Sequence, residues 1–226
     1  MALVHGNKPI VTDGLVLCLD AGNPKSYPGS GNTWTDLSGR GNTGTLNGAG
    51  YNPANGGSIV FDGTDDYVSN TMGQPLTSPF ADLTNKFLVF DFWVNSNTST
   101  PIGLYDTAPN LTNPLRNNPV GFVEWWNEDP KVSLGLSALT WTNITIEYSF
   151  TTNRIIKYYR NGNLISTTTG GTGPYVNWTT LNFGTVNQGQ FWYSGKISII
   201  KIYNRALTAT EIAQNYNALK GRYGLS

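Results

Sequence analysis

Hydrophobic and polar positions alternate in short runs along most of the chain, the period of a half-buried strand. Leu15, Leu17 and Leu19 share one face of the segment Leu15–Asp20. Ser58–Asp62 reads as a strand that turns at Gly63 and resumes at Tyr67 and Val68. Leu88, Phe90, Phe92 and Val94 alternate with Val89, Asp91, Trp93 and Asn95, which predicts a strand with one buried face. Ile144, Ile146, Tyr148 and Phe150 alternate with Thr145, Glu147 and Ser149 in the same way. Strands are predicted over residues 121–126 and 132–136, separated by the turn-like Asn127-Glu128-Asp129-Pro130. Ile155–Arg160 and residues 164–168 flank Asn161-Gly162, whose tolerance of positive φ at both positions specifies a type I′ hairpin. Residues 181–186 and 197–203 bring the expectation to nine or ten strands.

A single helix is marked, near the end. Thr208 and Glu211 form a capping box, and Leu207 with Ile212 stand at the positions of a hydrophobic staple. Ile212, Tyr216 and Leu219 recur at helical spacing, and Gly221 is placed as the C-cap, so the helix is predicted over 208–220. Many short strands with one terminal helix imply an all-β, two-sheet antiparallel sandwich. No Ser- or Pro-rich linker divides the 226 residues, so one domain is expected over 1–226, with residues 1–13 as an N-terminal arm. Four prolines (101, 109, 114, 119) and four asparagines (110, 113, 117, 118) predict an irregular connection over 101–119, functional or neutral.

Composition narrows the partners. Lys plus Arg and Asp plus Glu both number 14, and charged residues make up 12% of the chain. That balance excludes the basic footprint of a nucleic-acid binder and the polybasic patch of a membrane-surface protein. Gly, Asn, Thr and Ser fill some two fifths of the chain, a composition for tight turns and short strands. The longest apolar stretch, Leu15 to Leu19, is far below a membrane span, and no signal peptide is legible, so a soluble chain is expected. Cys18 and His5 are each the sole residue of their type. Intramolecular disulfides and multi-Cys/His zinc sites are thereby excluded, and Ser-His-Asp or Cys-His catalysis would need His5 itself. The sequons at Asn97, Asn110, Asn143 and Asn177 are as frequent as chance gives in so Asn- and Thr-rich a chain, and say nothing about secretion.

Several blocks together resemble the concanavalin A-like lectin/glucanase superfamily, in its LamG (laminin G-like) branch. These are Gly14-Leu15-Val16-Leu17-Cys18-Leu19-Asp20, Trp34-Thr35-Asp36-Leu37-Ser38-Gly39-Arg40-Gly41-Asn42 and Phe61-Asp62-Gly63-Thr64-Asp65-Asp66-Tyr67-Val68. Tyr159-Arg160-Asn161-Gly162-Asn163 is similar to the family's hairpin, and Lys196 to Leu207 followed by Glu211-Ile212 to its closing strand and helix. The resemblance implies a jelly-roll sandwich whose concave face and apical loops bind glycans and in some members Ca²⁺. A short preamble ahead of little more than this domain resembles structural proteins of tailed phages, particularly those infecting cyanobacteria. A non-enzymatic virion structural or decoration protein on the particle surface is therefore expected, homo-oligomeric and contacting capsid or tail proteins and possible cell-surface glycans. A carbohydrate-binding adhesin is the alternative, and a glycoside hydrolase stands third.

The candidate residues follow. Retaining glucanases of the superfamily carry Glu-x-Asp-x-x-Glu on one strand, and nothing here matches it. Glu124 and Glu128 would share a face of an unbroken strand but with backbones about 13 Å apart, too far for a retaining pair. Glu124, Trp125, Trp126 and Asn127 are instead candidates for sugar contact, an exposed indole stacking on a sugar ring while the carboxylate or amide accepts hydroxyl protons. The competing reading packs both indoles within the sandwich or against a neighbouring subunit. Asp62, Asp65 and Asp66 could offer oxygens to Ca²⁺, with Asp20 and Asp36 as further donors. Asp-Gly-Thr-Asp-Asp is equally the signature of a tight turn, which is the favoured reading. Tyr158 and Tyr159 beside Lys157 and Arg160 read as ordinary strand residues.

Overall fold

The computed structural model describes residues 8–72, 87–97, 104–105, 116–118, 122–125, 128–134, 136–149, 155–169, 180–186 and 191–226. In chain order the strands are β1 (Leu15–Asp20), β2 (Thr33–Trp34), β3 (Gly44–Asn47), β4 (Gly50–Asn52), β5 (Ser58–Asp62) and β6 (Tyr67–Thr71). β7 (Phe87–Ser96), β8 (Leu104–Tyr105), β9 (Arg116–Asn118), β10 (Phe122–Trp125), β11 (Glu128–Ser133) and β12 (Thr142–Ser149) follow. β13 (Ile155–Arg160), β14 (Asn163–Thr169), β15 (Thr180–Phe183), β16 (Thr185–Val186), β17 (Phe191–Trp192) and β18 (Ser194–Tyr203) precede the helix α1 (Ala209–Leu219).

Two antiparallel sheets form the sandwich. The first runs β14-β13-β12-β7-β18-β5-β4, with β1 also paired to β18. The second runs β2-β3-β6-β15-β8. Their facing rows make one core: Leu17, Leu19, Phe61, Phe90, Phe92, Ile144 and Ile200 from the first sheet meet Trp34, Leu46, Val68, Leu181 and Phe183 from the second. Phe92 and Phe183 bridge the layers edge to face, ring centroids 6.5 Å apart. Each such side chain, fully buried, is worth about 1.5–3 kcal/mol. Val132 and Leu134, in and after β11, join the same core. They hold the separate β11-β10-β9 sheet against it.

The outward rows of the first sheet depart from the predicted half-buried strands. Every residue of β12, and all of β7 after Phe87, is buried. The reason is that α1 and the chain ends cover that face. Ile212 and Leu207 pack with Val11, Val89 and Tyr203, and Tyr223 stacks on Trp93 at 4.1 Å. Asn143, one of the sequon asparagines, is thereby fully buried.

The helix begins as expected. Thr208 Oγ1 accepts from Glu211 N and Glu211 Oε2 accepts from Thr208 N, a complete capping box. Its end differs: the chain continues through a 3₁₀ turn over Lys220–Tyr223, and Gly224 (φ 71°), not Gly221, takes the left-handed position. Tyr223 is drawn onto Trp93, which extends the helical path past Gly221.

Other expectations are corrected. Eighteen strands occur among the described residues, because short Gly- and Asn-containing segments such as β2, β3 and β4 pair with stronger neighbours. The stretch 101–119 is not free of pairing: Leu104–Tyr105 pairs with β15, and Arg116–Asn118 with β10. Both are proline-free pieces at sheet ends, where a short strand needs only one partner. Asn127-Glu128-Asp129-Pro130 is not wholly a turn, since β11 runs through Glu128, Asp129 and Pro130. β11 is an edge strand, the place in a sheet that tolerates proline's missing N–H. Residues 181–186 divide at Gly184 (φ 94°), whose Cβ position would strike Phe61.

Candidate functional site

Glu124 and Trp125 lie in β10, where Glu124 is the register partner of Arg116 and Trp125 of Glu128. The chain thus reverses between Glu124 and Glu128, and their separation along one continuous strand does not apply. Trp126 and Asn127 lie outside the described residues, as does His5.

Asp62, Asp65 and Asp66 do come together, with carboxylate oxygens all within 4.8 Å of one another. Asp62 Oδ1 accepts from Thr64 N at 2.7 Å, an Asx turn, and Asp66 Oδ2 accepts from Asp62 N at 2.8 Å. Burial pushes the Asp66 carboxyl above its ordinary range, against the Asp62 amide that lowers it. Three carboxylates would meet part of the six to eight oxygens Ca²⁺ takes, so the donor type fits. Two of the three, however, already terminate the turn's own amides, and turn chemistry accounts for the arrangement.

The other two aspartates are committed elsewhere. Asp36 Oδ1 accepts from Cys18 N and Ser38 N, and its Oδ2 from Asn42 N and the Ser38 hydroxyl. Asp36 therefore clamps the loop after β2 onto β1, which is what the Trp34–Asn42 block encodes. Asp20 pairs with Arg222 through two bonds, 2.6 and 3.0 Å. Cys18 is buried, and burial pushes its thiol up to about 12, far from a reactive thiolate. Tyr158 is a core residue, and Lys157 pairs with Glu147 at 2.6 Å, as ordinary strand residues do.

The two sheets differ in what they present outward. On the first, α1 and the chain ends cover β7, β12 and β18, while β14 stays exposed, with Leu164 54% and Ile165 40% accessible. On the second, Thr33, Thr45 and Thr71 are exposed, Asn47, Tyr67, Ser69 and Thr180 half-buried, and Asn182, opposite Ser69, is buried. Tyr67 is turned away from the core because its neighbour Val68 is in it. Trp192 meets it, ring centroids 6.2 Å apart at 42°. Asn47, the register partner of Tyr67, donates Nδ2 to Thr45 O at 3.0 Å and to Ser69 Oγ at 3.2 Å. The alternation at Tyr67-Val68 signalled the tyrosine's direction. The run Phe191-Trp192-Tyr193 hid which ring faces out.

No curated protein matches the chain. Among solved structures it resembles the receptor binding domain of botulinum neurotoxin C/D mosaic serotype, at 16% identity and TM-score 0.66, covering 91% of this chain and 51% of that one. It also resembles the binding domain of botulinum neurotoxin DC in complex with rat synaptotagmin II, at 18% identity and TM-score 0.66, covering 92% and 52%. The same domain in complex with SialylT matches at 17% identity and TM-score 0.65, again over 92% and 52%. The chain spans about half the length of these structures, and at such identity the likeness is one of fold. The family described as the concanavalin A-like lectin/glucanases superfamily (Laminin_G_3) matches residues 62–213. With a jelly-roll of two antiparallel sheets closed by one C-terminal helix, the chain belongs to that superfamily.

Proposed function

We propose that the chain is a non-enzymatic recognition module that decorates the surface of a phage particle, contacts neighbouring virion subunits and engages cell-surface glycans. The observation that carries the recognition part is the asymmetry between the layers: the central strands of the first sheet are built over on their outer side, and the edge of the second formed by β2, β3 and β6 presents uncharged polar and aromatic groups. A surface of that kind suits hydroxyl-rich ligands, which offer both donors and acceptors. The virion assignment is supported by the resemblance of the Gly14–Asp20, Trp34–Asn42 and closing-strand blocks to the LamG branch, whose modules occur in phage virion proteins as well as in bacterial surface proteins. Repeated copies on a particle would multiply weak contacts into avidity, so a homo-oligomer belongs to the same reading.

A free-standing adhesin is the second reading, favoured by the neighbours' description as receptor binding domains. Mass spectrometry of purified particles separates the two: a fixed copy number supports the decoration role, and absence from particles overturns it. Glycan-array binding that is lost in Trp125→Ala or Trp126→Ala would place Glu124–Asn127 at the contact. Release of reducing sugar from a polysaccharide, abolished by Glu124→Gln, would overturn the non-enzymatic assignment.

A further inference from the structure

We propose that Lys201 and Asp91 close an intramolecular amide bond, a covalent staple between β18 and β7 beneath α1. The staple is independent of the recognition reading above and concerns what holds the sandwich shut.

The two residues are register partners on central strands, with Lys201 Nζ 3.1 Å from Asp91 Oδ2 and both side chains at 0% exposure. An ammonium carries three donors, yet among the described residues Nζ has no hydrogen-bond acceptor. Oδ2 is near enough but stands outside the directions in which a hydrogen bond forms. The nitrogen is thus held beside the carboxyl group rather than bonded to it. Reacting atoms are poised when about 3–3.5 Å apart, and Cγ is one bond, about 1.2 Å, from that oxygen.

The carboxyl group is itself fixed at both oxygens. Asn143 Nδ2 donates to Oδ1 at 2.7 Å and to Phe92 O at 3.1 Å, so both of its hydrogens are engaged and the amide cannot turn. Asn215 Nδ2 reaches Oδ2 at 3.4 Å. Donors aimed at carboxyl oxygens stabilise the charge that builds there when a nucleophile adds.

The bonds balance without a redox partner. A proton moves from Nζ to Oδ2, leaving an amine and a carboxylic acid. The nitrogen lone pair adds to Cγ, a second Nζ proton passes to the departing oxygen, and Oδ2 leaves as water. Nζ–Cγ forms and Cγ–Oδ2 breaks. Two buried charges become one neutral amide, which removes the desolvation cost of the pair. Asn143 and Asn215 are also at 0% exposure, so water is kept from reversing the step. With Cys18 as its sole cysteine, the chain has no internal disulfide to do the same work.

Intact mass spectrometry of the full chain, denatured after prolonged incubation in the folded state, tests this. The wild type should be lighter than its sequence mass by one water. Trypsin should fail to cut after Lys201 and should yield a branched peptide joining it to Asp91. Lys201→Arg, which keeps a cation but cannot form the amide, and Asp91→Ala should each show their full sequence mass. Because the wild-type peptide decides, a variant that fails to fold leaves the test intact. A wild type at full sequence mass overturns the staple. Loss of one ammonia with Lys201 joined to Asn143 or Asn215 overturns Asp91 as the acceptor. Loss of one water mapped to unbranched Asp62-Gly63, a sequence prone to ring closure, overturns it equally.

Discussion

Asp91 on β7 and Lys201 on β18 are register partners whose Oδ2 and Nζ lie 3.1 Å apart, both side chains at 0% exposure. The contact is an ion pair without an aligned hydrogen bond on Nζ. Around it, Asn143 Nδ2 donates to Asp91 Oδ1 at 2.7 Å, and Asn215 of α1 reaches Oδ2 at 3.4 Å. Asn215 also accepts from Val11 N and donates to the Tyr203 hydroxyl. The network ties the first sheet to α1 and to the N-terminal arm. Lys201→Met leaves Asp91 buried without its counter-charge and should lower the unfolding free energy by about 3–5 kcal/mol. Adding Asp91→Leu to that variant should recover part of the loss, and only part, because Asn143 and Asn215 are then orphaned. Urea unfolding of both variants measures the coupling, and strictly additive losses would contradict it.

Stability should also fall in acid through Glu211. Two nitrogens of Arg205, at 2.6 and 3.1 Å, together with Thr208 N hold its carboxyl down at about 2, against an ordinary value of 4.5. A folded-state value below the unfolded one stabilises fully above the unfolded value and fades as pH falls toward the folded one. The loss therefore lies between 4.5 and about 2. Glu211→Gln keeps an acceptor for the cap but removes the titration. Thermal melts across that window should fall less steeply for Glu211→Gln than for the wild type.

Legibility followed the strength of the local pattern. β1, β5 and β13 have the bounds that alternation gives, and the capping box and the Asn161-Gly162 turn (φ 50° and 76°) are as written in the residues. β2, β3 and β4 were hidden, because Gly44, Gly50 and their Asn neighbours pair only when a partner strand is already in place. The polar alternation of β7 and β12 signalled solvent, yet it encodes the Asp91 network beneath α1. That burial depends on contacts with Asn215 and Val11, distant in sequence. At the candidate surface the Asp62–Asp66 turn was legible for the same local reason. The Tyr67–Trp192 contact joins β6 to β17 and leaves no sequence signal.

The Asp62–Asp66 turn makes its own prediction. The folded Asp66 carboxyl lies above its ordinary value, so its contribution to stability declines as pH rises through that interval. Asp66→Asn retains an oxygen for Asp62 N and removes the buried charge, and should leave the melting temperature equal or higher. Asp66→Ala loses the acceptor and should cost about 1–2 kcal/mol. Chelation with EDTA should leave the wild-type melt unchanged. A rise in melting temperature with millimolar Ca²⁺ that disappears in Asp66→Asn would assign the trio to a cation instead.

The C-terminal turn should behave as a latch whose parts can be ranked. Tyr223 is sandwiched beside Trp93 at 4.1 Å and Trp141 at 4.8 Å, and its hydroxyl donates to Ser198 Oγ at 2.9 Å. Arg222 fastens the same turn to Asp20, with its stem against Gly56. Tyr223→Phe removes one hydrogen bond, but the Ser198 hydroxyl still donates to Gly57 O, so the cost should stay near 1 kcal/mol. Tyr223→Ala opens the aromatic packing and should cost about 3–5 kcal/mol. Arg222→Ala should fall between the two, since it strips Asp20 of both bonds where some solvent still reaches. Chemical denaturation of the three variants gives the order directly. A Tyr223→Ala protein as stable as Tyr223→Phe would mean that the turn is not anchored by its rings.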